Sequence, residues 1–178
     1  MPRPTIPRAP ALAPLLAVPP LLSACVSVPP IGAADPAAPA FPVAQFFAGR
    51  TEGEGRLTVM MSEPRRVRVA SRGRTEPDGA IALEQTIWEE GKAARSRRWR
   101  LRQVAPGRYA GTLSDAAGPI TGAVQGGRLH LRFAMRGGMK VDQWLTLAPD
   151  GRSARNLLRV RKLGVTVAAL DETIRKLD

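Results

Sequence analysis

Arg128-Leu129-His130-Leu131-Arg132-Phe133-Ala134-Met135 carries the clearest two-residue period in the chain. Leu129, Leu131, Phe133 and Met135 fall on one parity; Arg128, His130, Arg132 and Ala134 fall on the other. Successive side chains of a β-strand point to opposite faces, so the octet reads as a strand with one dry and one wet side. Shorter runs on either side repeat the pattern. Leu57, Val59 and Met61 alternate with Arg56, Thr58 and Met60, and Val67 and Val69 alternate with Arg66, Arg68 and Ala70. Ile81, Leu83 and Ile87 share a face, as do Trp99 with Leu101, Tyr109 with Gly111 and Leu113, and Val141 with Leu145 and Leu147.

Turn chemistry separates these runs. Pro77-Asp78-Gly79, Glu89-Glu90-Gly91, Pro106-Gly107, Asp115 to Pro119, Gly126-Gly127, Gly137-Gly138 and Pro149-Asp150-Gly151 each follow one of them. About nine strands result, at spacings of about 8–12 residues, with no convincing helix between. Short consecutive turns imply an antiparallel meander, and closing it removes exposed strand edges. The expectation is an all-β antiparallel barrel or half-barrel over residues 43–178. Val165 to Val167 suits a strand and Ala168 to Ile174 a short helix, so the tail reads as a strand passing into a helix.

The N-terminal region reads differently. Residues 1–24 have a basic start, an apolar middle from Ala9 to Leu22 and a cleavage region. The middle contains Pro10, Pro14, Pro19 and Pro20, which argue against a spanning helix. Leu22-Ser23-Ala24-Cys25 reads as a bacterial lipobox. Small Ser23 and Ala24 suit a peptidase cleft, and the Cys25 thiol is the nucleophile that takes diacylglycerol. Cys25 is the one cysteine of the chain, so an intramolecular disulfide is ruled out. Residues 25–42 are Val, Ala and Pro with little charge, and read as a polyproline-type tether. At ~3.1 Å per residue it spans on the order of 50 Å. Val26 in place of an aspartate resembles lipoproteins sent on to the outer membrane, so the expected location is that membrane, facing the periplasm, with the lipid anchor as membrane partner.

The 178 residues carry 27 Lys and Arg against 15 Asp and Glu, a net charge of +12. Such a balance favours an anionic neighbour. An exported chain rarely meets nucleic acid, and four Phe, three Trp and one Tyr give no obvious base-stacking platform. One histidine and one cysteine make a zinc site improbable, and no cofactor is expected.

Several fragments occur in a recognisable order: Phe46-Phe47-Ala48-Gly49 with Gly53 and Gly55, Arg65-Arg66, Trp99, Gly107-Arg108-Tyr109-Ala110-Gly111, Asp115 with Gly118 and Gly122, Asp142 with Trp144, and Asn156 with Lys162 and Gly164. The ordered set resembles a bacterial lipoprotein family known as domain of unknown function 3833. The resemblance implies a lipid-anchored, lipocalin-like β-domain and assigns no catalytic residue. The chain departs from the family pattern at Leu83-Glu84-Gln85-Thr86, usually more acidic, and at Ala168-Ala169-Leu170, usually more aromatic.

Arginines dominate the wet faces. Arg66, Arg68, Arg98, Arg100, Arg102, Arg128 and Arg132, with Arg159 and Arg161, stand opposite apolar partners. They read either as a solvated exterior that resists edge aggregation or as contacts to lipid phosphates, which guanidinium binds in pairs. A porin-like lumen is the third option, against which stands the lack of aromatic girdles. Glu84, His130 and Asp142 share the polar parity and are a candidate acid–base cluster, although surface charges pairing with arginines explain the acids more simply. No Gly-x-Ser-x-Gly elbow or spare thiol is present, and the glycine-rich stretches lack a phosphate-loop lysine. Trp99 falls on the dry parity. Trp88 and Trp144 fall on the wet one and, with Tyr109, are candidates for a pocket mouth. The sequence therefore points to a non-enzymatic lipoprotein binding an apolar or amphipathic small molecule. The alternative is a packed barrel with a basic docking surface.

Overall fold

In the structure Leu129, Leu131 and Phe133 are 0, 3 and 7% exposed, while Arg132 and Ala134 face solvent. The computed structural model describes Val26 and residues 28–178. After a short helix α1 (Val43–Phe47) come strands β1 (Gly49–Val59), β2 (Arg65–Thr75), β3 (Ile81–Glu89), β4 (Arg95–Ala105) and β5 (Arg108–Leu113). Then follow β6 (Ile120–Gln125), β7 (Arg128–Met135), β8 (Met139–Leu147), β9 (Ser153–Lys162) and β10 (Val165–Lys176). Each pairs antiparallel with the next in sequence, and β1 pairs with β10. The sheet is a closed barrel, with no free edge among the described strands. Within the strands, the parities read from the apolar runs above become an inside and an outside.

One end is plugged. Phe41, Phe46 and Phe47 converge there, with the Phe46 ring 5.1 Å from both others. They join Ile81, Leu83, Leu101, Leu113, Ile120, Leu129, Leu145 and Ala154 in the main core. The plug sits tightly on β2 at Gly73, where an added Cβ would lie 1.9 Å from the Phe47 carbonyl oxygen. At the other end a smaller cluster of Val67, Val69 and Ile87 packs with Leu57 and Leu170. That end carries the β1–β2, β3–β4, β5–β6, β7–β8 and β9–β10 connections and, among the described residues, has no helix closing it as α1 closes the other.

Three expectations change. The tail is strand throughout: residues 165–176 complete the ladder to both β1 and β9, and the inter-strand hydrogen bonds outweigh the local helical signal. Met61 is not an inward strand residue, because β1 stops at Val59 and Met61 lies on the hairpin tip. The Pro-rich stretch is not a free spacer over its whole length. The Phe41 amide donates to the Gly126 carbonyl at 3.0 Å, and Arg128 Nη1 donates to the Gly32 carbonyl at 2.6 Å. Pro30, Ile31 and Gly32 border an outer depression with Trp144, Thr146 and Leu157. These contacts hold the stretch from Pro30 onward to the barrel wall. The lipobox residues Leu22, Ser23, Ala24 and Cys25 lie outside the described residues.

Candidate functional site

Strand alternation sends a set of polar side chains into the barrel where apolar ones would be expected. Thr51 on β1, Ser71 on β2, Gln85 on β3, Arg97 on β4, Gln143 on β8, Asn156 on β9 and Glu172 on β10 all point inward and line one cavity. Apolar walls come from Phe47, Val69, Leu83, Trp99, Leu101, Leu131, Leu145 and Ile174. The cavity measures about 40 Å³, room for about three waters at roughly 10–15 Å³ each.

Two hydrogen-bond chains organise this belt. Gln85 Nε2 donates to Ser71 Oγ at 2.8 Å, and Gln85 Oε1 accepts from Arg97 Nε and Trp99 Nε1, both at 2.7 Å. Across the lumen, Gln143 Nε2 donates to Asn156 Oδ1 at 3.0 Å and Asn156 Nδ2 donates to Glu172 Oε2 at 2.6 Å. Gly53 leaves the space for that carboxylate, since a Cβ there would lie 2.1 Å from Glu172 Oε1. Glu172 Oε1 and Gln143 Oε1 are buried with no hydrogen-bond partner. The terminal nitrogens of Arg97 find no acceptor among the described residues, and Arg97 and Glu172 make no ion pair within 4.0 Å. Buried polar atoms without partners are costly, so the belt has hydrogen-bonding capacity left over that water or another polar group in the cavity can meet.

Burial, and to a lesser extent the neighbouring charge of Arg95, lowers the Arg97 pKa to about 10, against the opposing pull of Glu172 and Asp115. Arg97 is still a cation at neutral pH. Burial raises the Glu172 carboxyl above the ordinary glutamate range, opposed by the Asn156 hydrogen bond and the Arg97 charge. A carboxyl with a raised folded pKa supports the fold fully below its unfolded value, and that support fades as pH rises through the folded value. Glu172→Gln removes the titration. The melting temperature of the variant relative to the parent should therefore increase as pH rises from the ordinary glutamate range toward neutrality. Paired melts in one buffer series check it, and a pH-independent difference would contradict it.

The candidate pocket aromatics stand elsewhere. Trp88 is on the outer wall, with the Arg68 guanidinium 4.2 Å from its ring centre. Trp144 is also outside, stacked on His130 at 4.8 Å with a 12° interplanar angle, and Arg159 lies 5.0 Å from its ring. Tyr109 packs against the main core rather than lining the cavity. Trp99 is core, as its parity implied, and it also presents its indole to the cavity.

The candidate acid–base trio is divided. His130 Nε2 lies 3.0 Å from Asp142 Oδ1, and Arg161 Nη2 donates to Asp142 Oδ2 at 2.7 Å. Glu84 is on β3, in register between Arg72 and Arg98. A closed barrel points the outer faces of β3 and β8 in different directions, so shared parity does not bring these groups together. The arginines scatter for the same reason. Arg66, Arg68, Arg98, Arg100 and Arg102 occupy the wall of β2 and β4, whereas Arg128 and Arg132 belong to β7. Arg66 pairs with Glu90, Arg68 with Glu52, and Arg100 with Glu76 and Asp78. Arg128 is held by the Gly32 and Ala33 carbonyls. Among the described residues no group of three His, Cys, Asp or Glu is placed to hold a metal.

Similar folds are found among solved structures. The S-type phycobiliprotein lyase CPES of Guillardia theta superposes with a TM-score of 0.58 at 9% identity, over 76% of this chain and 93% of that one. A protein of unknown function from the DUF3598 family of Nostoc punctiforme gives a TM-score of 0.53 at 11% identity, over 78% of this chain and 50% of that one. At such identities the likeness is one of fold. A search of curated protein sequences returns no match. Residues 20–176 match the family described as "Protein of unknown function (DUF3833)".

Proposed function

The chain belongs to the DUF3833 family, and on that premise we propose that it is a non-enzymatic, lipid-anchored barrel of the bacterial outer membrane that faces the periplasm and binds a small amphipathic molecule in its lumen. The observation that carries this reading is the inner belt. Arg97 offers unused donors, Glu172 and Gln143 offer unused acceptors, and apolar walls adjoin all three in one cavity. That pairing suits a guest with a polar head and an apolar body. The likeness to the phycobiliprotein lyase supports the fold alone.

The cavity sets the probe. At about 40 Å³ it is far below the roughly 300–1,000 Å³ of a drug-sized site. A larger guest enters only as Arg97 and the apolar side chains rearrange, so a short amphiphile such as octanoate is the better first ligand. Calorimetric titration of the chain from Val26 onward, which contains the whole closed ladder and both cores, should show saturable binding with a negative heat-capacity change. Absence of heat at every temperature tried would remove the reading. The small cavity favours a second reading, a packed barrel whose outer surface docks a partner, and that reading would then take its place.

Anchoring is tested separately. Cys25→Ser should abolish incorporation of radiolabelled fatty acid in cells, because serine cannot form the thioether to diacylglycerol. Equal label in the mutant would contradict the lipoprotein assignment.

A further inference from the structure

Six large apolar residues are exposed among the described residues, and four of them stand at the unplugged end: Met61 (89%), Trp88 (36%), Leu163 (95%) and Val165 (51%). Met61 is on the β1–β2 tip, Leu163 on the β9–β10 tip, Val165 opens β10, and Trp88 is the next-to-last residue of β3. The barrel order β9–β10–β1–β2–β3 puts them on one arc of the rim. The Met60 amide donates to the Val167 carbonyl at 2.9 Å and ties the two tips together.

The backbone at these tips is costly for the residues it carries. Met61 and Leu163 have φ of 60° and 50°, in the left-handed region. Gly and Asn occupy that region cheaply, and Met and Leu do not. The hairpins at Gly79, Gly91, Gly107, Gly137 and Gly151 use glycine for the same conformation. A leucine almost wholly in water adds no burial to the fold, so strain and exposure together mark these tips as serving something outside it. Cations flank the arc. Arg136, Lys140 and Lys162 are exposed and form no ion pair among the described residues, with Glu63 as the opposing charge on the β1–β2 connection.

Apolar tips, an interfacial tryptophan and unpaired cations are what an anionic bilayer surface selects. We infer that the open rim is a second, non-covalent membrane contact: Met61, Leu163 and Val165 enter the head-group layer while Arg136, Lys140 and Lys162 meet lipid phosphates. The course of the N-terminal segment fits. It is held at Gly126 at the plugged end and at Arg128 through Gly32, and so lies along the outer wall beside Trp144 and Thr146 and leaves the rim uncovered by the residues from Pro30 onward. The inference rests on the envelope-lipoprotein reading only for its choice of partner, and it requires neither the lumen guest nor acylation.

The test is co-sedimentation of the chain from Val26 onward with vesicles of phosphatidylcholine alone or mixed with phosphatidylglycerol. Binding should require phosphatidylglycerol and weaken as salt rises. The double variant Met61→Asn with Leu163→Asn relaxes both backbones, so it should melt no lower than the parent yet lose affinity by about tenfold or more. A Gly pair at the same sites should behave likewise. Neutralising Arg98, Arg100 and Arg102 on the wall should cost less than removing the tips. The inference is overturned if the parent ignores anionic vesicles at low salt, if the tip variants bind as well as the parent, or if the wall variant loses more than they do. A parent that self-associates through these tips but ignores vesicles would assign the rim to a second copy, and one that stays monomeric and ignores them would assign it to a protein partner; either result overturns it too.

Discussion

Phe133→Ala should lower the stability of the barrel by about 3–5 kcal/mol, among the larger losses a single core truncation produces. Phe133 is 7% exposed and meets Trp99 edge-on, with ring centres 5.5 Å apart and an interplanar angle of 89°. These two rings join β7 to β4 across the lumen, so truncation leaves a void that no single backbone shift can close. Arg132→Ala, one residue away, should change stability by no more than about 0.5 kcal/mol, because Arg132 is exposed and makes no ion pair among the described residues. Urea melts of the two variants give the ranking. The reverse order would mean that the inner and outer faces are exchanged.

Arg97→Met should reduce octanoate affinity by about 10- to 100-fold, the loss expected when a hydrogen bond to a charged group of about 1.5–3 kcal/mol disappears. Stability should not fall with it. Methionine keeps most of the stem and relieves the barrel of a desolvated cation, and Gln85 Oε1 retains the Trp99 indole as a donor. Calorimetry and melts on the same sample separate the two effects. Unchanged affinity in a stable variant would remove Arg97 from the site.

The barrel was largely legible from alternation. Leu129, Leu131 and Phe133 declared an inner face, and the turns at Pro77-Asp78-Gly79 and Pro149-Asp150-Gly151 set the meander that the ladder follows. The C-terminal strand was harder, because Ala168-Ala169-Leu170-Asp171-Glu172 has good helix formers and is held straight only by partners on β1 and β9, far away in sequence. Misreading that stretch also hid Glu172. Arg97 shares the parity of Trp99 and Leu101, so its inward direction was available in principle, but the alternation of this run is read from Trp99 and Leu101 against Arg98, Arg100 and Arg102 and leaves Arg97 out. Trp88 and Trp144 were placed on the outer face correctly, yet their size suggested a pocket mouth. Parity says in or out and cannot say which strands of a closed barrel are neighbours, which is why Glu84 was grouped with His130 and Asp142.

Native mass spectrometry of the full-length protein, released from its own membrane in mild detergent, tests the central claim most directly. The binding reading predicts the acylated chain plus a small guest that leaves on collisional activation while the covalent acyl groups stay, and a guest that is missing or much reduced in Arg97→Met. The acylated chain alone under the gentlest conditions, with no guest in parent or variant, would contradict it.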